Sequence, residues 1–110
     1  MNPETEYRKL IETRGISLQS LGLAELALSR ADAILAVELL RGASIPILGG
    51  DVYFKNVTGI ESEGDNWHSD PREGEERDSF VTRSCLETLS YIENFPSTGA
   101  VPIFVLVIDA

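Results

Sequence analysis

Apolar and polar positions follow more than one rhythm along this chain. Over residues 3–13, Tyr7, Leu10 and Ile11 recur at the spacing of one helix face, and this predicts a first helix. Asn2 suits its N-cap and Pro3 its first position. Glu4 and Glu6 fall in the first turn, where the helix dipole favours acids, and Gly15 is the stop. From Ala31 to Leu40 only Asp32 and Glu38 are polar, so the second predicted helix is covered on most sides. Ser29 opens it, Asp32 completes a shortened capping box, and Gly42 is the expected left-handed terminator. A third helix is predicted over 77–94. Val81, Cys85, Thr88, Leu89 and Ile92 share one face there, Phe80 and Phe95 flank it, and Pro96 ends it.

Strand signals fill the rest. Ile45-Pro46-Ile47-Leu48 reads as a short strand with Pro46 at its edge or its start, and Gly49-Gly50 breaks or bulges it. Residues 52–55 read as a second strand, Asn56 to Gly59 as a turn, and Ile60-Glu61 as the start of a return strand. Residues 62–76 read as a polar loop around Trp67. Val101 to Ile108 is apolar on both faces and belongs in the middle of a sheet or beneath helices. Residues 16–28 are ambiguous: their leucines are core candidates, and a short strand ending near Leu28 is one reading. The predicted class is α+β in a single domain over residues 1–110. The expected architecture is one small, mainly antiparallel sheet with two or three helices packed on one side.

Composition bounds the function more than it names it. The chain has 110 residues, 43% of them hydrophobic and 25% charged, which is ordinary for one folded domain. A single Cys excludes an intramolecular disulfide. The N-terminus lacks the basic start and apolar run of a signal peptide, and no stretch is long enough to span a bilayer. A cytoplasmic protein without a membrane partner is the expectation.

Charge changes the picture. The net charge is −9, and residues 61–78 alone hold eight acids against Arg72 and Arg77. Such a field repels nucleic-acid phosphate and attracts a basic partner. An acidic, solvated loop that keeps the protein soluble would have the same composition.

Candidate chemistry is sparse. His68 with Asp51, Asp65 and Asp70 is the one set that suggests a metal or a general base, but it offers one imidazole and no second nitrogen or sulfur ligand. Cys85 lies on an apolar helix stripe, where a thiol acts as a small hydrophobe. Gly49-Gly50-Asp51 is too short for a phosphate loop and lacks the dinucleotide glycine spacing. Its glycines suit a bulge, which would aim Asp51 and Tyr53 in a fixed direction. Trp67, the lone Trp, sits among polar residues. It is either a lid folded over the sheet or an anchor offered to a partner, and both roles are compatible. No catalytic residue, metal or cofactor is assigned.

Four segments carry a resemblance: Ala27-Leu-Ser-Arg-Ala-Asp-Ala33, Ile47-Leu-Gly-Gly-Asp-Val-Tyr53, Asp65-Asn-Trp-His-Ser-Asp70 and Tyr91-Ile-Glu-Asn-Phe95. Together they resemble the immunity protein 40 family of bacterial polymorphic toxin systems, over most of residues 24–108. The resemblance implies a cytoplasmic protein that protects a bacterium by binding a cognate toxin domain. Charge placement and the glycine pair then single out Asp51, Tyr53, Glu61, Glu63, Asp65, Trp67, His68 and Asp70 as expected contacts to a toxin with a basic surface. Two alternatives stand beside this: a small metal-dependent enzyme using Asp51, Asp65, His68 and Asp70, and a self-associating module pairing through strand 103–108.

Overall fold

Asn2 accepts hydrogen bonds from the backbone N–H groups of Glu4 (2.8 Å) and Thr5 (3.3 Å), and so starts helix α1, Pro3–Arg14, as its residue type predicts. The computed structural model describes residues 2–97 and 99–109. After α1 the chain forms the two-residue strand β1 (Ile16–Ser17), a 3-10 turn at Gln19–Leu21, and strand β2 (Leu26–Ser29). Helix α2 is Arg30–Gly42, opened by the Ser29 hydroxyl, which accepts from Asp32 N–H at 3.2 Å. Strands β3 (Ile47–Asn56) and β4 (Gly59–His68) form a hairpin, followed by α3 (Arg77–Asn94) and β5 (Val101–Ile108).

All pairings are antiparallel, in the order β1-β2-β5-β3-β4. The apolar β5 lies in the middle of the sheet, as its two-faced hydrophobicity requires. That position removes the expected route to self-association, since 103–108 is not an edge. The helices pack on one face. Between them and the sheet lie Leu28, Val37, Leu40, Ile47, Val52, Cys85, Ile92 and Phe104, all buried. The opposite face carries a smaller cluster of Ala27, Tyr53, Ile103 and Val105, closed over by Leu18 from the segment between β1 and β2. Of the ambiguous leucines of 16–28, Leu18 and Leu23 cover the second face and Leu28 joins the helix-side core, whereas Leu21 and Leu26, expected in the core, are exposed.

Three local expectations are corrected. Gly42 is not the left-handed terminator of α2. Ser44 takes that place at φ 58°, with Ser44 N–H bonded to Arg41 C=O (3.1 Å) and Ile45 N–H to Leu40 C=O (2.9 Å). This is a Schellman closure, and the buried Leu40 and Ile45 side chains supply its apolar contact. The two strands expected over 45–48 and 52–55 are one, because Gly49-Gly50 bulges the chain, as one of its two readings had it, without breaking it. β3 runs unbroken for ten residues, and its register against β5 slips between Ile47 and Gly49, with Gly49 at φ 146°. Residues 62–68 are not loop but the second half of β4. The reason is positional: β4 is an edge strand, mostly exposed, and its backbone pairing to β3 requires no apolar alternation.

Candidate interaction edge

The β3–β4 hairpin closes through Val57-Thr58, where Asn56 Oδ1 accepts from both Thr58 N–H (2.9 Å) and Thr58 Oγ1–H (2.7 Å). From there Phe54 pairs with Glu61 and Tyr53 with Ser62. The register then slips, and it resumes with Asp51 opposite Asn66 and Gly50 opposite Trp67. The extra residues all belong to β4. They form a bulge around Glu63-Gly64-Asp65, made possible by Gly64 at φ 86°. The bulge pushes Glu63 and Asp65 out of the regular pleat of the strand.

Trp67 is bound inward. Its ring stacks on Tyr91 of α3 (centroids 4.7 Å apart) and meets Phe104 edge-on (6.4 Å), while Nε1–H donates to the buried Thr88 hydroxyl at 3.0 Å. The indole crosses directly over Gly50: a Cβ there would stand 2.4 Å from the ring and 2.1 Å from the Val105 carbonyl oxygen. The second glycine of the pair therefore makes room for the lone Trp. Trp67 is thus half-buried between sheet and α3, the packing its lid reading expects.

The other expected contacts do not share one face. Glu61 lies on the helix side with Phe54 and accepts from Asn56 Nδ2–H at 2.9 Å. Asp65 lies close enough to Tyr91 for its charge to add to the effect of burial in raising the Tyr91 phenol above its usual pKa. Asp51 and Tyr53 lie on the opposite face. There burial first, and then the charges of Asp51 and Glu25, raise the Tyr53 phenol. Strand alternation turns His68 toward that same face; its Nε2 is 3.8 Å from an Asp70 carboxylate oxygen, with both side chains exposed. Asp51, Asp65, His68 and Asp70 are therefore spread over two faces and a bulge. Among the described residues, no group of three or more His, Cys, Asp or Glu side chains converges as a metal site would require. Glu61, Glu63, Asp65, Trp67 and His68 share the edge strand β4, Asp70 follows its end, and Asp51 and Tyr53 lie on the neighbouring inner strand β3.

Not every acid of 61–78 is available to a partner. Arg83 of α3 holds Glu75 through two hydrogen bonds (2.9 and 2.8 Å), reaches Glu87 at 3.1 Å, and donates to the Asp70 carbonyl at 2.6 Å. Ser69 Oγ–H donates to the same Glu87 carboxylate at 2.7 Å. Hydrogen bonds from Arg83 and from the Arg72 backbone hold the Glu75 carboxyl at about 2, well below the carboxylate range. Glu75 and Glu87 thus fasten the segment after β4 to α3. Arg83 and this clasp were not singled out in the sequence, although Arg83 is the one Lys or Arg between residues 79 and 110 and stands four residues before Glu87. Among the described residues Glu61, Glu63 and Asp65 make no ion pair, and no Lys or Arg occurs between Lys55 and Arg72.

The fold and this margin define a small α+β protein that presents a fixed acidic sheet edge. The chain belongs to the immunity protein 40 family, whose model matches residues 17–108, so it is an immunity protein of a toxin system. No curated protein and no solved structure matches it. No helix among the described residues is long and apolar enough to cross a membrane.

Proposed function

We propose that this chain binds and neutralises a cognate polymorphic toxin domain in the cytoplasm of the producing cell, with the β4 margin as its contact surface. One observation carries the reading. Within the 61–78 segment Glu75 is clasped by Arg83 of α3, whereas Glu61, Glu63 and Asp65 stand on an edge strand, with no Lys or Arg between Lys55 and Arg72. Charges that serve only solubility need no rigid mount. These are mounted on a strand braced from below by Trp67 and from its far end by the Arg83 clasp.

In this reading Glu61, Glu63, Asp65, His68 and Asp70 meet a basic surface on the toxin, with Asp51 reaching it from the opposite face, while Tyr53, buried beneath Leu18, supports that face from within. Trp67 contributes by holding the strand. Neutralisation requires occupancy rather than turnover, so no catalytic residue, metal or cofactor takes part. Nucleic acid is not a partner of a protein with net charge −9. The test is co-expression with toxin-like domains drawn from this chain's gene neighbourhood, followed by pull-down, for the wild type and for a Glu61→Lys/Glu63→Lys/Asp65→Lys variant. Capture by the wild type, with affinity reduced by about a hundredfold or more in the variant, is expected from the loss and reversal of three charges. Equal capture of both would remove this margin from the interface.

A further inference from the structure

The edge of β4 has a property beyond its charge, and it refines the proposed toxin-binding role on which it rests. β4 is the outermost of five strands and has a neighbour on one side only. The two-residue turn makes Asn56 and Gly59 a hydrogen-bonded pair, and alternation then turns the N–H and C=O of Ile60 and Ser62 away from β3. Beyond the bulge, Gly50 pairs with Trp67, which turns the backbone groups of Asn66 and His68 outward in the same way. Among the described residues, no backbone hydrogen bond outside the sheet engages the amides of these four. Two short rows of open donors and acceptors therefore run along the edge, separated by the Glu63-Gly64-Asp65 bulge.

Side chains decide which strand can add there. Gly59 to Asp70 holds Glu61, Glu63, Asp65 and Asp70 and no Lys or Arg. A second copy of this chain pairing β4 with β4 would set carboxylates against carboxylates, which opposes self-addition. A strand bearing Lys or Arg would instead place its cations beside these acids while its backbone fills the open row. We infer that a basic, extended segment of the toxin docks on this chain as a sixth strand along β4.

The experiment uses the full chain labelled with ¹⁵N and two ten-residue peptides, one of alternating Lys and Thr and one of alternating Glu and Thr. Backbone amide exchange is followed residue by residue. The basic peptide is expected to slow exchange at Ile60 and Ser62, or at Asn66 and His68, by about tenfold or more at saturation, because amides at an open edge exchange freely until paired. Glu61 and Trp67, already paired to β3, stay unchanged, and the acidic peptide does nothing. The Glu61→Lys/Glu63→Lys/Asp65→Lys variant, whose three exposed positions leave the core untouched, should exchange the preference between the two peptides. Absence of this alternate-residue pattern with the basic peptide, or an equal response to both peptides, overturns strand addition. A toxin that is captured in the pull-down yet leaves the four amides unprotected overturns strand addition alone. A peptide response without toxin capture overturns the toxin reading alone.

Discussion

Ser44 is the one described non-glycine residue with positive φ, and it stands where α2 must reverse toward β3. A left-handed backbone costs an L residue about 1 kcal/mol, whereas glycine adopts it freely. Ser44→Gly should therefore raise stability by about 0.5–1 kcal/mol in chemical denaturation, with no change in fold. Gly50 predicts the opposite. A methyl group there meets the Val105 carbonyl and the Trp67 ring, both fixed by packing. Gly50→Ala should cost about 2 kcal/mol or more, within the range for overpacked cores. It should also shift the emission of the protein's one Trp, which reports directly on this contact. Thr88 offers a subtler test, since its hydroxyl is the partner of the Trp67 Nε1–H and is fully buried. Thr88→Val keeps the volume but leaves that donor without an acceptor, at a cost of about 1–3 kcal/mol on the same denaturation assay.

Elements are held together by a few polar fastenings at their ends. Arg30, at the start of α2, donates to the carbonyls of Ile92 and Phe95, closing the C-terminal end of α3, whose last turn has no basic residue of its own. Ser84 of α3 accepts from the Ile47 N–H at 3.1 Å, next to the point where the β3 register slips against β5. The Arg83–Glu75 pair ties the segment after β4 to α3 and makes stability sensitive to acid. The Glu75 carboxyl is lowered in the folded state, to about 2 from an ordinary value of 4.5, so its contribution is complete above pH 4.5 and is lost as pH falls toward about 2. Glu75→Gln should lower stability at neutral pH and flatten the fall in stability across that interval. Denaturant midpoints measured at a series of pH values would show both effects.

The whole molecule presents a field concentrated at one edge of its sheet. If a basic toxin surface meets that edge, long-range attraction speeds encounter, and salt screens it over a Debye length of about 8 Å at physiological ionic strength. Raising salt from 50 to 500 mM should therefore slow association by about tenfold or more, with a smaller change in dissociation, as stopped-flow mixing with the toxin domain would reveal. The Glu61→Lys/Glu63→Lys/Asp65→Lys variant should lose that salt dependence.

Helices α1, α2 and α3 were legible because caps and one-sided apolar stripes are local properties, and the central place of β5 followed from a run of apolar residues too long to leave wet. The α+β class and the family resemblance were fixed at the same level. Local signals could not show that 62–68 is a strand. An edge strand is held by its neighbour's backbone, and apart from Ile60 and Trp67 the side chains of β4 are exposed. Nor could they sort the acids: Glu75 is spent on Arg83 and Glu61 remains open, a difference set by how the segment after β4 folds back on α3. Sequence fixed which charges the protein carries. Packing decided which of them are left facing outward, because ion pairs between elements exist only once those elements have been brought together.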